Sequence, residues 1–177
     1  MTQASTIAGG RATSALSIVS ADQETIVGDG TTENPLRVAD GAQSILCTYN
    51  AFQPAVVGMP VNVTTGAITA GTVARVSAAN KTTQTSASAI GLITEVVSSS
   101  IVRVQLSGLV TLTVAQWAAI TGNPAGLVQS EGYWVSVAGQ MDDVPPAVPG
   151  DWIAQIGYAL TDTIFLLGTP SAISVVP

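Results

Sequence analysis

Residues 89 to 106 carry the clearest β pattern in the chain and read AIGLITEVVSSSIVRVQL. The second half alternates apolar and polar residues with period two, which is typical of a strand with one face in a core and Arg103 and Gln105 on the outside. Three apolar side chains are expected to face inward: Val102, Val104 and Leu106. We therefore predict two paired strands, 89–97 and 101–106.

Strand signals continue on both sides of this pair. Residues 59–70 hold two alternating runs around Thr65-Gly66 and predict a hairpin. The polar stretch 78–88 is predicted to be an exposed loop. Residues 109–112 continue the β pattern beyond Gly108, where a glycine permits a bend or a bulge.

The last third of the sequence repeats the β pattern. It predicts strands over residues 133–137, 152–160 and 164–167, with a turn at Ala138-Gly139, a second turn at Asp162 and a proline-rich connection between the first two strands. Residues 169–177 are expected to leave the domain as a tail. Short strands at fairly even spacing are typical of a closed barrel or a sandwich.

The predicted fold class is therefore all-β. We expect a small β-barrel or sandwich over residues 44–177, with one short helix, preceded by an extended N-terminal arm over residues 1–43 that contains a short hairpin. The arm is assigned to attachment or oligomerisation.

The one helix signal covers residues 113–122. Thr113 and Gln116 match a capping box, and Gly122 suits the left-handed conformation that ends many helices. Trp117 and Ile120 lie three residues apart on one apolar stripe. Trp117 is therefore predicted to be a core residue at the end of the barrel, and a sugar-stacking platform is the alternative.

The N-terminal segment has a different composition. Residues 1–20 are small and polar and form either an arm or a disordered terminus. Residues 15–19, ALSIV, favour an arm that adds as a strand to a neighbour by main-chain pairing. Residues 26–27 and 36–38 flank a glycine-containing loop and predict a small hairpin or β-arch. The GDG sequence in this loop indicates a turn and not a ligand cradle, because no lysine and no helix pattern follow it.

Charge is scarce in this chain. Only 9% of its residues are charged, against about 25% in an ordinary soluble domain, whereas 47% are apolar. Because extended apolar surface left in water marks an interface, we expect a subunit of an assembly. A net charge of -6 and scattered basic residues argue against nucleic acid as a partner. No apolar run is long enough for a membrane helix and no secretory signal is recognised, so no membrane partner is expected.

Catalysis and metal binding have few residues to use. The sequence has no histidine, which removes the commonest general base and the commonest zinc ligand. The single cysteine, Cys47, is predicted to be a small buried hydrophobe, and Lys81 a solvated loop residue. Asp142 and Asp143 are predicted to be solvated loop charges, with a glycosidase pair or a weak cation site as alternatives. We predict no enzymatic activity, no catalytic residue, no metal site and no cofactor.

Several segments resemble bacteriophage proteins. Residues 26–40, IVGDGTTENPLRVAD, are similar to a "GDGT…NPL.V" element in the N-terminal parts of phage fibre proteins. Further segments resemble the β-rich modules of phage head-fibre and capsid-decoration proteins: GMPV (58–61), AIGL (89–92), VQLSGLV (104–110), LTVAQW (112–117), GYWVS (132–136) and IGYA (156–159). The likeness spans residues 24–167.

This resemblance implies a non-enzymatic structural protein of the virion, a capsid-decoration (cement) or head-fibre subunit that binds the assembled shell and projects a β domain outward. It implies a homotrimer on the capsid surface, assembled in the host cytoplasm, with the major capsid protein or another virion protein as partner. The candidate attachment or oligomerisation residues of the arm are Leu16, Ile18, Val19, Ile26, Val27, Leu36 and Val38. The alternative is a tail-fibre or baseplate module that binds a host-surface glycan through the aromatic residues Trp134 and Trp152.

Overall fold

The computed structural model describes residues 26–27, 37–38, 43–50, 52–168 and 174–177. The chain divides into two compact units, Met1–Gly41 and Ala42–Pro177. In the first unit, strand β1 (Ile26–Val27) pairs antiparallel with strand β2 (Arg37–Val38), and Ile26 lies opposite Val38. The predicted pairing of these two short segments is confirmed.

Five strands of the second unit close into a barrel. In chain order they are β3 (Ser44–Tyr49), β4 (Pro60–Val63), β5 (Ala74–Ala78), β6 (Ala89–Ser98) and β7 (Ile101–Gln105). Their spatial order is β3-β5-β4-β6-β7, and β7 closes the barrel by pairing with β3. The β3–β5 contact is parallel and the other contacts are antiparallel. The prediction of an all-β fold with a small barrel is confirmed.

The β6–β7 pair is the strand pair that the sequence predicts. Ile93 lies opposite Val104, and both Val102 and Val104 are buried as the alternation requires. Gln105 contradicts the prediction, because it is only 8% exposed. Its Nε2 donates to the main-chain oxygens of Ser107 (3.1 Å) and Leu109 (2.8 Å) where the chain leaves the barrel. A polar side chain is tolerated there because these bonds satisfy its amide.

The chain then forms an open antiparallel sheet of five strands in the order β10-β9-β12-β13-β8. The strands after the barrel are β8 (Gly108–Thr111), β9 (Gly132–Val135), β10 (Met141–Asp142), β11 (Trp152–Ile153), β12 (Gln155–Ala159), β13 (Ile164–Leu167) and β14 (Ser174–Val175). Strands β11 and β14 pair with each other in a separate sheet.

The described part of the chain has two helices, α1 (Gln84–Ala87) and α2 (Val114–Thr121). The predicted capping box begins α2: Thr113 Oγ1 accepts from the Gln116 N–H at 3.2 Å, and Gln116 Oε1 accepts from the Thr113 N–H at 2.9 Å. Gly122 ends the helix with a φ of 72°, in the left-handed region that glycine tolerates best. The predicted helix is confirmed, whereas α1 is a second helix that was not predicted.

One cluster of buried apolar side chains runs through both the barrel and the five-stranded sheet. Trp117 of α2 is fully buried in it, with its ring centroid 5.6 Å from that of Phe165 on β13. The Trp117 Nε1–H donates to the main-chain oxygen of Thr163 at 3.0 Å. Tyr133 of β9 packs against Phe165 from another direction, at 5.9 Å. Trp117 is therefore a core residue and not an exposed platform for a sugar.

Two predictions about the barrel segments are wrong. Residues 67–70 do not pair with β4; β4 pairs with β5 instead, and residues 64–73 form the connecting loop. This loop departs from strand geometry because its polar groups bond to β3, for example the Thr69 N–H to Thr48 Oγ1 at 2.6 Å. Residues 78–88 are not simply an exposed loop, since they contain α1.

Two predictions about the C-terminal third are also wrong. The single predicted strand over residues 152–160 divides at Ala154 into β11 and β12, which belong to different sheets. The C-terminal segment is not simply a tail, because Ser174 pairs with Ile153 in the β11–β14 ladder. The two-residue strand β10, paired with β9, was not predicted.

Candidate interaction surface

The outer face of the five-stranded sheet carries a row of apolar side chains. Leu109 of β8 lies opposite Leu166 of β13, Leu166 lies opposite Tyr158 of β12, and Tyr158 lies opposite Gly132 of β9. Directly opposed residues lie on the same side of a sheet, so these four residues cross four adjacent strands in one line. Leu109, Leu166 and Tyr158 are 50%, 41% and 51% exposed. We call these four residues the outer row.

Trp134 extends the outer row along β9. Alternate residues of a strand share a side, so Trp134 lies on the side of Gly132, whereas Tyr133 and Val135 are buried on the other side. The six-membered ring of the half-buried Trp134 lies 3.1 Å from the point that a Cβ of Gly132 would occupy. A Cβ at Gly132 would meet the Gln155 amide even sooner, so the absence of a side chain at Gly132 makes room for both the indole and this amide.

A polar group lies beside this aromatic residue. Gln155 is opposite Trp134 across the β9–β12 ladder, and the Tyr158 hydroxyl donates to Gln155 Oε1 at 3.4 Å. The outer face thus offers a half-exposed indole, an exposed phenol and an amide within two neighbouring strands.

The outer face carries almost no charge. Among the residues described on β8, β13, β12 and β9, none that points outward is a carboxylate, a lysine or an arginine. The exposed Asp142 lies opposite Trp134 on the edge strand β10, on the same side of the sheet, and the exposed Glu131 directly precedes β9. An antiparallel sheet with one face in water usually alternates apolar and polar residues. Here β13, Ile164–Leu167, is apolar on both faces, so its outer face is suited to contact another apolar surface.

A second exposed apolar group lies on the loop before β4. Phe52 is 90% exposed. The next residue, Gln53, anchors the loop by donating from Nε2 to the main-chain oxygen of Ala138 at 3.1 Å. Phe52 is therefore an exposed aromatic side chain next to a fixed point of the backbone.

The two tryptophans predicted to bind a surface lie in different sheets. Trp134 is on the outer face of the five-stranded sheet, as described above. Trp152 is on β11, is half-buried and packs against the core cluster. Trp152 is therefore partly a core residue, and the structure does not place both indoles on the same sheet face.

The predicted arm residues lie mostly outside the described part of the chain. Leu16, Ile18, Val19 and Leu36 are not among the described residues. Ile26, Val27 and Val38 lie in the β1–β2 pair, where the structure gives their main-chain pairing. Their assignment to attachment or oligomerisation stays a prediction.

Two side chains with potentially reactive groups, Lys81 and Cys47, are ion-paired or buried. Lys81 is not a solvated loop residue, because its Nζ lies 2.9 Å from Asp151 Oδ2 and its side chain is only 21% exposed. Cys47 is fully buried, as predicted, and burial raises the pKa of its thiol, which disfavours the reactive thiolate. Within residues 43–50, 52–168 and 174–177, no three histidine, cysteine or acidic residues come together as metal ligands.

The outer row could not be recognised as a candidate site from the sequence. Its members are distant in sequence and become neighbours only through the register of four strands. One local signal was present: residues 164–167, IFLL, lack the polar alternation of a strand with one wet face.

No family model, no curated protein and no solved structure matches this chain. None of the helices in the described part of the chain is both long and apolar enough to cross a membrane.

Proposed function

We propose that this chain is a non-enzymatic structural subunit of a virus particle, a capsid-decoration or head-fibre protein that binds the assembled shell and projects its β domain outward. The observation that carries the proposal is the apolar outer face of β8, β13, β12 and β9, whose described outward side chains carry no charge, on a chain that has few charged residues anywhere. Such a surface suits a protein that functions while covered by other protein. The resemblance of residues 26–40 to phage fibre proteins supports the virion as the setting.

In this proposal the chain stabilises the assembled shell by mass action. A protein that binds the assembled lattice, and not the separate coat subunits, raises the stability of the assembled form by its binding free energy. This role needs an interface and a durable fold and no reactive group. The absence of histidine from the sequence and the Lys81–Asp151 ion pair support a non-enzymatic role.

The decisive experiment counts copies of this chain in purified particles. Quantitative mass spectrometry of particles should give a fixed ratio of this chain to the major coat protein, and gold-labelled antibodies should mark the capsid. A variable or trace ratio would refute the proposal. Labelling confined to the tail would favour the second candidate function.

The second candidate is binding of a neutral glycan by a tail-fibre or baseplate module. The observation that favours it is the half-exposed Trp134 with the Gln155 amide opposite and the Tyr158 hydroxyl bonded to that amide. Sugars stack on such rings and bond to such amides. A glycan array should then show binding that Trp134→Ala abolishes and Trp152→Phe retains. Binding lost equally in both variants would argue against a site at Trp134.

A further inference from the structure

We propose that Asp142 is a specificity-determining residue of the glycan site at Trp134, where its carboxylate accepts a hydrogen bond from a ligand hydroxyl and repels acidic sugars. The ligand class is therefore a glycan whose bound sugar carries no carboxylate, sulfate or phosphate. The inference deepens the second candidate function, on which it rests, by adding a polar contact and naming the sugars that the site excludes. It is argued from strand register, from the direction of hydrogen bonds and from charge.

The strand register places a carboxylate, an indole and an amide in one line across three strands. Asp142 of β10 lies opposite Trp134 of β9, and Trp134 in turn lies opposite Gln155 of β12. Directly opposed residues lie on the same side of a sheet with their Cβ atoms about 5 Å apart. The indole is therefore flanked on both sides within the about 10 Å that two strand spacings cover. We call these three residues the Trp134 line.

Hydrogen bonds within the sheet determine what each end of the Trp134 line offers to a ligand. The Tyr158 hydroxyl donates to Gln155 Oε1 at 3.4 Å, which leaves Gln155 Nε2 to donate. Asp142 Oδ1 accepts from the Val144 N–H at 3.2 Å, and in the described part of the chain no bonded partner reaches Oδ2. An ionised carboxylate only accepts. The line thus offers a donor, a stacking ring and an acceptor, which suits two hydroxyl groups of one sugar ring stacked on the indole.

The negative charge around the Trp134 line is not balanced by a basic side chain in the described part of the chain. Asp142 and Glu131 are exposed, and Asp143 is half-buried. In the Ala42–Pro177 unit, the three basic side chains bond to residues outside the line: Arg75 to Asn50, Lys81 to Asp151 and Arg103 to Glu95.

The three carboxylates also act on a common point beneath the line. Burial raises the pKa of Tyr133, and the hydrogen bond from the Val128 N–H lowers it. Three negative charges raise this pKa further: Asp143, Glu131 and Asp142. An acidic group on a ligand stacked on the neighbouring indole would enter the same negative potential and be repelled, whereas a hydroxyl would not.

The test is an array that holds neutral oligosaccharides beside the same oligosaccharides capped with sialic acid or glucuronic acid. For the unmodified full chain, each acidic member should bind at least about fivefold more weakly than its neutral counterpart at low salt. The difference should shrink in about 1 M salt, because the Debye length then falls to about 3 Å.

Asp142→Asn separates the charge from the shape of the site. It removes the carboxylate and keeps the oxygen that accepts the Val144 N–H. Neutral glycans should bind this variant about three- to tenfold more weakly, because a charge-assisted hydrogen bond becomes a neutral one. The ratio of neutral to acidic binding should fall towards one and lose its salt dependence.

Asp162→Asn is the matched control. Asp162 is exposed on the turn between β12 and β13, outside the Trp134 line, and its substitution removes the same charge from the chain. This variant should keep the preference of the unmodified chain for neutral glycans. Thermal melting curves check that both variants fold.

The outcomes separate this inference from the functions proposed above. Equal binding of neutral and acidic members by the unmodified chain, or an unchanged ratio in Asp142→Asn, overturns the role of Asp142 and leaves a glycan site at Trp134 standing. No binding to any glycan overturns both this inference and the second candidate function. The copy number in particles, which tests the first proposal, does not depend on either result.

Discussion

The barrel and the five-stranded sheet share one core but differ at their boundaries. The barrel has no edge, because β7 returns to β3, and its surface carries polar pairs such as Arg103 with Glu95 at 3.0 Å. The sheet is open, with β8 and β10 at its edges, and its outer face is apolar. The barrel therefore leaves no strand edge unpaired, whereas the sheet leaves two edge strands and a row of apolar side chains aligned across four strands.

The β8 edge of the sheet is less available to a partner than the outer face is. The main-chain oxygen of Leu109 at this edge already accepts a hydrogen bond from Gln105 Nε2. Beyond the strand, the Thr113 N–H is occupied by Gln116 in the capping box. These bonds occupy main-chain groups that a partner strand at this edge would need. Contact through the outer face is therefore better supported than strand addition at β8.

The largest expected effect comes from breaking the core that joins the two regions. Trp117→Ala removes a fully buried ring and its bond to Thr163, and should lower the free energy of unfolding by about 3–5 kcal/mol. Because the core is continuous, the amide exchange of Tyr133, which reports the sheet, and that of Val102, which reports the barrel, should shift together in urea. Separate transitions would mean that the regions fold independently.

One glycine in each region tests how closely neighbouring strands pack there. A Cβ at Gly91 in the barrel would collide with the main-chain oxygen of Gln105, and one at Gly157 in the sheet with that of Leu166. Each change to alanine should cost about 1–3 kcal/mol in urea unfolding, because a strand must shift. Gly168→Ala, whose nearest neighbour would be 3.9 Å away, is the control and should be nearly neutral.

Alkaline pH should destabilise both regions. Burial raises the pKa of Cys47 and of Tyr49 in the barrel. In the sheet, burial also raises the pKa of Tyr133; the hydrogen bond from the Val128 N–H lowers this pKa, and nearby carboxylates raise it further. Each group loses its proton at a lower pH in the unfolded chain than in the folded chain. Its contribution to the free energy of unfolding is therefore fully present below about pH 9 and is lost above it. Each group contributes a slope of at most about 1.4 kcal/mol per pH unit.

Urea unfolding between neutral pH and pH 11 measures this loss. Tyr133→Phe should be less stable than the unmodified chain at neutral pH, because it loses the bond from the Val128 N–H at 2.8 Å, and should lose less stability at alkaline pH. An identical alkaline loss in both proteins would show that Tyr133 does not contribute.

The smallest expected effect is on the surface of the barrel. Glu95 is 56% and Arg103 33% exposed at the side chain, so their ion pair is well solvated. Glu95→Gln should change the free energy of unfolding by less than about 1 kcal/mol. A larger loss in a thermal or urea melt would show that the barrel depends on its surface charges, contrary to the comparison above.

Local features of the fold could be predicted from the sequence, and non-local ones could not. The helix after Thr113 follows from a capping box and a glycine only a few residues apart, and the β6–β7 pair follows from strands that are close in sequence. The parallel β3–β5 contact joins residues more than twenty positions apart, and no periodicity signals it. The Gln105 side chain was predicted to be exposed and is buried, because its amide bonds to two carbonyl groups beyond its own strand.

The candidate site shows the same limit. Trp134 was identified from its residue type, but its partners Leu109, Leu166 and Tyr158 come from three other strands. The inner or outer side of each residue follows from period two, whereas their alignment in one row requires the register of the whole sheet. Composition therefore predicts a contact surface, and the structure gives the position of an apolar candidate for it.

The placement of Arg103 has a consequence for digestion by trypsin. Arg103 in β7 is the last basic residue of the sequence, so residues 104–177, which include the whole five-stranded sheet, offer trypsin no cleavage point. In the Ala42–Pro177 unit, the enzyme has to cut at Arg75, Lys81 or Arg103, in or beside barrel strands that must first open locally. Resistance of this unit to trypsin would then depend on how rarely the barrel opens.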